Sequence, residues 1–153
     1  MGDRCYSTVT CRKRDMRHFL DMGYALEFDD TTVEDLTPGE PVELVDDEAN
    51  YGHYTAIKTL GKRVEDGLIP PVVFVVECQE GSEYGPCVHA CDGRRYVYSE
   101  ADHDGFPCIS MREDRALVGE AEARTYWDVH DAVYRRFARA SKAADRRKAA
   151  PTS

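Results

Sequence analysis

The stretch that decides the fold is PPVVFVVECQEGSEYGPCVHACDGRRYVYSE, residues 70–100. It opens with a continuous run of β-branched and aromatic residues, the pattern of a central strand covered on both faces. Two further strand-like segments, PCVHAC and RRYVYSE, then flank Asp92-Gly93, a dipeptide that favours tight hairpin turns. The reading is a meander: strands in succession, joined by short connections and therefore paired antiparallel.

Upstream, Cys5, Ser7, Val9 and Cys11 alternate with Tyr6, Thr8 and Thr10, which predicts a strand with one buried face. Met16, Phe19 and Leu20 follow at helical spacing before Gly23, and residues 24–28 return in extended form. A turn signal at Pro38, Gly39 and Pro41 leads into a short strand at 42–47. Tyr54, Ile57, Leu60, Val64 and Leu68 then mark a helical stripe, although Gly61 inside it costs ~1 kcal/mol relative to alanine.

Residues 106–111 suggest one more strand. From Gly119 onward the pattern is that of a long helix with Tyr126, Val129, His130, Val133 and Phe137 on its inner stripe. Glu120 and Glu122 near its start and Arg135 to Lys142 near its end match the order the helix dipole favours. The element order predicts an α+β domain, a mostly antiparallel sheet with helices on one face. A ferredoxin-like core with an added β-hairpin and a long C-terminal helix satisfies it. Residues 1–145 are expected to form this single domain and 146–153 a flexible basic tail.

Bulk composition narrows the functional classes. The chain has 153 residues, 42% of them hydrophobic, enough to offset the ordering of one core. The N-terminus lacks the apolar stretch of a secretory signal, and the run at 68–76 is about half of the ~20 residues that span a bilayer. A cytoplasmic location without membrane contact is expected. The six cysteines are accordingly expected as reduced thiols, mostly acting as small buried hydrophobes.

Cys87, His89 and Cys91 raise the question of a metal. The Cys87 to Cys91 spacing matches a zinc knuckle in count, but on an extended strand the two lie ~13 Å apart, too far to share an ion with ~2.3 Å bonds. Cys87 with His89, or His89 with Cys91, can chelate as same-face neighbours, helped by Cys78 from the adjacent strand. The nucleobase deaminase pattern fails, because PCVHAC has one residue too many and no H-x-E occurs. An acidic loop from Glu100 begins like a calcium site but carries Met111 where the bidentate glutamate belongs. No phosphate-binding loop, dinucleotide fingerprint or nucleophile elbow is present, so neither an enzyme nor a cofactor is expected.

The strongest anomaly is charge. The net charge is −9, and the forty residues from His18 through Ile57 contain no lysine or arginine while holding eleven carboxylates. Basic residues are displaced to Arg12–Arg17 and to the seven after Val133. On an extended segment, alternate carboxylates such as Glu27 and Asp29 repeat at ~6.6 Å. Adjacent phosphates along a DNA strand are ~7 Å apart, and a duplex carries one charge per ~1.7 Å.

The expected partner is therefore a protein with a basic, nucleic-acid-binding surface. It would meet Glu27, Asp29, Asp30, Glu34, Asp35, Glu43, Asp46, Asp47 and Glu48, with Tyr51 and Tyr54 as aromatic anchors. By charge and size, the chain is similar to the small acidic inhibitors of the anti-restriction and anti-CRISPR kind. Its own net charge disfavours direct nucleic-acid binding. Two other readings stay open: a small metal-binding or cysteine-dependent enzyme using Cys78, Cys87, His89 and Cys91, and a structural or assembly subunit that self-associates through a sheet edge.

Overall fold

The computed structural model describes residues 4–26, 33–79, 81 and 85–149. The elements are β1 (Arg4–Arg12), a 3-10 turn at Lys13–Asp15, α1 (Met16–Leu20), β2 (Ala25–Leu26) and β3 (Pro41–Asn50). A turn at Tyr51–His53 leads into α2 (Tyr54–Glu65), then β4 (Val73–Cys78), β5 (Cys87–Asp92) and β6 (Tyr96–Glu100). Two short strands, β7 (Ser110–Met111) and β8 (Leu117–Val118), precede α3 (Glu120–Ala149).

The main sheet has six strands in the order β2-β3-β1-β4-β5-β6, and every pairing is antiparallel. Because β3 runs opposite to both of its neighbours, β1 and β2 point the same way with β3 between them. This split β-α-β unit, followed by α2 and a β4 that pairs with β1, is the ferredoxin-like strand order. The β5–β6 hairpin extends the sheet beyond β4. Its turn places Gly93 at φ 96°, and the Asp92 carboxylate accepts from the Arg94 and Arg95 N–H groups at 2.9 and 2.8 Å.

The helices do not share one face, contrary to the sequence reading. Phe19 of α1 and Ile57, Leu60 and Val64 of α2 pack with Val9, Cys11, Phe74 and Val76. Tyr126, Val129, Val133 and Phe137 of α3 pack on the other side, against Val73, Val75, Val88, Ala90 and Val97. The reason lies in β4, where Val73, Phe74, Val75 and Val76 are all buried. A strand apolar on both sides needs cover on both.

Two local features fix the frame. The Asp15 carboxylate accepts from the Arg12 guanidinium at 2.6 Å and from the Val73 N–H at 3.0 Å, joining the end of β1 to the start of β4. Gly61, in the middle of α2, faces the Tyr96 ring so closely that a Cβ there would lie 2.2 Å from Cδ1. The glycine that weakens the helical pattern is therefore a packing requirement.

Residues 106–111 are not one strand: Pro107 makes an isolated bridge to Ala101, and the two-residue β7 pairs with β8 in a separate small sheet. α3 continues through Arg146, Arg147 and Lys148, residues read from the sequence as part of a tail. No described helix is long and apolar enough to cross a membrane.

Candidate functional site

On the α1/α2 face of the sheet, one end of the core is polar. Cys78 and Cys87 are direct partners across β4 and β5, and His89 follows two residues along β5 on the same face. One ligand atom from each of the three lies within 4.8 Å of the others, and all three residues are buried. The Cys87 Sγ to His89 Nε2 distance is 4.0 Å. Strand alternation and an in-register pair thus bring together what the sequence separates by nine and two positions.

Partners surround the cluster. His89 Nδ1 and the Tyr96 hydroxyl are 2.6 Å apart, so Nε2 is the nitrogen facing sulfur. Cys78 Sγ lies 3.3 Å from Ser7 Oγ, which in turn lies 2.6 Å from the Tyr24 hydroxyl. Cys78 is also hydrogen-bonded to the Cys5 thiol and donates toward the Gly52 carbonyl at 3.6 Å. Every deeply buried side-chain nitrogen and oxygen among the described residues has a partner.

Burial sets the protonation states. It pulls the His89 imidazole down to about 3, so the ring is neutral at physiological pH. The Cys78 thiol is pushed up to about 12; hydrogen bonding with Cys5 favours its thiolate, but bonding with Cys87 and burial outweigh that. Cys91 points to the same side and is buried, but it stands outside the three-residue cluster; burial also pushes its thiol up to about 12. All six cysteines are free thiols.

Beside the cluster, Tyr51, Tyr54, Thr55 and Tyr98 line a hollow of about 400 Å³. The rings of Tyr54 and Tyr98 stand 6.0 and 5.0 Å from the His89 ring, forming a wall between hollow and cluster. The entrance is shaped by a left-handed turn: Tyr51, Gly52 and His53 have φ of 51°, 63° and 56°. His53 Nε2 meets Asp46 Oδ2 at 2.6 Å and its ring packs 4.9 Å from that of Tyr24, holding the turn in place.

The predicted acidic residues are distributed unevenly. Glu27, Asp29 and Asp30 lie outside the described residues. Glu34 and Asp35 are exposed, and the Lys13 ammonium donates to the Glu34 and Leu36 carbonyl oxygens nearby. On β3, Glu43 projects from the side opposite buried Val42 and Leu44, whereas Asp46 turns inward to His53. A register shift between Cys5 and Ser7 adds one residue to β3, and there Asp47 and Glu48 are exposed.

Charge is nevertheless separated in space, along the strands. The β1–β3–β4 register places Asp47 and Glu48 at the end of the sheet that also holds Cys78, and β4–β6 pairing brings Glu77 and Glu100 to the same end. Glu43, Glu77, Asp102, His103 and Asp104 line a hollow of about 210 Å³ there. The opposite end presents Arg12, Arg14, His18, Arg94, Arg135 and Arg139 around two concavities of about 490 and 420 Å³ that share Arg136.

Sequence reasoning missed Cys5, Ser7, Tyr24, Tyr96 and Tyr98 as surroundings of the cluster. The signal was present for Tyr96 and Tyr98, since counting outward from the Asp92-Gly93 turn pairs Cys91 with Tyr96 and His89 with Tyr98. No family model, curated protein or solved structure matches the chain.

Proposed function

We propose that the protein is a binding module for a basic protein surface, and that it inhibits a nucleic-acid-handling complex in the anti-restriction or anti-CRISPR manner. The observation that carries this reading is the adjacency in the chain of the exposed Asp47–Glu48 bulge and the aromatic hollow formed by Tyr51, Tyr54 and Tyr98. A lysine or arginine entering the hollow lays its aliphatic stem and cationic head against tyrosine rings while carboxylates stand nearby. Tyr54 already receives the Lys58 ammonium at 5.5 Å from its ring centroid.

The docking surface in this reading is narrower than the whole acidic segment. It uses Asp47, Glu48, Tyr51 and Tyr54, with Glu34 and Asp35 further along and Glu77, Glu100 and Asp102 supplied by the sheet's acidic end. Asp46 serves the turn instead.

The test begins with capture of partners from a nuclease-treated lysate at low salt, followed by binding measurements on the recovered protein. Affinity is expected to fall as salt rises, because exposed charges are screened over ~10 Å at 0.1 M salt. Asp47→Lys with Glu48→Lys is expected to weaken binding by about tenfold or more, and duplex DNA to compete for the same partner surface. Affinity unchanged by the double reversal, or a partner bound equally well alongside saturating DNA, would refute the reading.

A further inference from the structure

We propose that Cys78, Cys87 and His89, with Cys5 as fourth donor, form a buried tetrahedral zinc site between β4, β5 and β1. The inference is independent of the acidic surface and concerns the opposite kind of chemistry: soft, neutralisable ligands inside the core.

Three observations converge. Tetrahedral zinc with thiolate and imidazole ligands places its donor atoms ~3.5–3.8 Å from one another. The donor atoms of Cys78, Cys87 and His89 already fall within 4.8 Å, and the Cys87–His89 pair at 4.0 Å needs only a small rotation of the thiol. Cys5, buried and hydrogen-bonded to Cys78, stands outside the 4.8 Å group and supplies the fourth sulfur by rotating its side chain toward the other donors.

The surroundings are those a metal requires. A zinc-bound histidine normally donates its second N–H to an oxygen, which fixes the tautomer, and Tyr96 stands 2.6 Å from His89 Nδ1. The Ser7 hydroxyl, 3.3 Å from Cys78 Sγ, can donate to the thiolate once it forms. The ring wall of Tyr54 and Tyr98 separates the site from the hollow, and rotation of those rings gives the ion a route inward.

The reaction balances simply. Each of three thiols loses its proton to solvent and forms a sulfur–zinc bond, while neutral His89 binds through Nε2. Three protons are released per Zn²⁺, and the resulting centre carries one net negative charge. The ion's own charge offsets the cost of three thiolates in a buried setting.

The experiment uses the full chain under reducing conditions, with Zn²⁺ added during refolding and Co²⁺ as a spectroscopic substitute. Expected are one ion per chain, intense thiolate-to-cobalt absorption with the visible bands of a tetrahedral site, about three protons released per ion, and a raised thermal midpoint. Cys87→Ser and Cys5→Ser each lose thiolate intensity, whereas Cys91→Ser and Cys108→Ser do not. Tyr96→Phe keeps the ligands and weakens affinity about 10–100-fold. Should Cys87→Ser not fold, the cobalt spectrum and proton count of the unaltered chain still decide. No bound ion and no midpoint shift would show a thiol–imidazole core cluster only and overturn the site; metal retained at equal affinity in Cys87→Ser would do the same.

Discussion

The Tyr96 hydroxyl lies 2.6 Å from His89 Nδ1, and the two residues belong to neighbouring strands joined by one tight turn. A histidine with no solvent exposure is thereby given an oriented oxygen partner at Nδ1, with the Cys87 sulfur at Nε2. The bond leaves the other ring nitrogen toward sulfur and keeps the imidazole from turning.

His89 carries a pH signature. Its folded value of about 3 lies below the ~6.5 of an unfolded chain. Between those values the unfolded state binds one more proton, so its contribution to stability is lost as pH falls. The slope from this group approaches ~1.4 kcal/mol per pH unit and vanishes above ~6.5. Urea unfolding of the natural chain and His89→Gln from pH 7 to 4 measures it, and the variant is expected to show the shallower decline.

Gly61→Ala tests the close approach to Tyr96. Helix propensity alone favours alanine by ~1 kcal/mol. The added methyl meets ring carbons at 2.2 and 2.4 Å, and overpacking of this kind costs ~1–3 kcal/mol. A net loss of up to about 2 kcal/mol is expected in chemical denaturation, with unchanged denaturant dependence. A more stable variant would mean that the ring moves aside freely.

Asp46→Ala tests the left-handed turn. Its carboxylate holds His53 at 2.6 Å and accepts the Glu48 N–H at 3.0 Å. Non-glycine residues in this conformation cost ~1–2 kcal/mol each, so the turn depends on such contacts. Loss of the carboxylate is expected to lower stability by ~1–3 kcal/mol and to raise amide exchange at residues 51–53. Exchange left unchanged there would assign the turn to other contacts.

Tyr51→Ala separates binding from folding. Tyr51 is 43% exposed, so stability should change by no more than about 0.5 kcal/mol. Affinity for a captured basic partner should fall by about tenfold or more if the ring anchors the interface. The pairing of an unchanged melting curve with a weakened complex is the outcome to look for in calorimetry.

Strand periodicity made most of the fold legible. The alternation in β1, the apolar run of β4, the turn at Asp92-Gly93 and the stripe of α3 all appear in the structure where spacing places them. Register was the part not readable from spacing alone: the extra residue in β3 leaves Asp47 and Glu48 both exposed and returns Ala49 to the core, and no local pattern marks it. The cluster was legible as candidate residues on separate segments. Their convergence and the exclusion of Cys91 depend on pairings between strands distant in sequence.

The opposed ends of the sheet have a consequence for encounter. A molecule with carboxylates at one pole and guanidinium groups at the other experiences a torque in the field of a charged groove before any side chain touches. Its tumbling is biased so that the acidic pole leads toward a basic surface and the arginine pole trails. The search over orientations, which ordinarily limits how fast two proteins meet, is shortened by the molecule's own asymmetry.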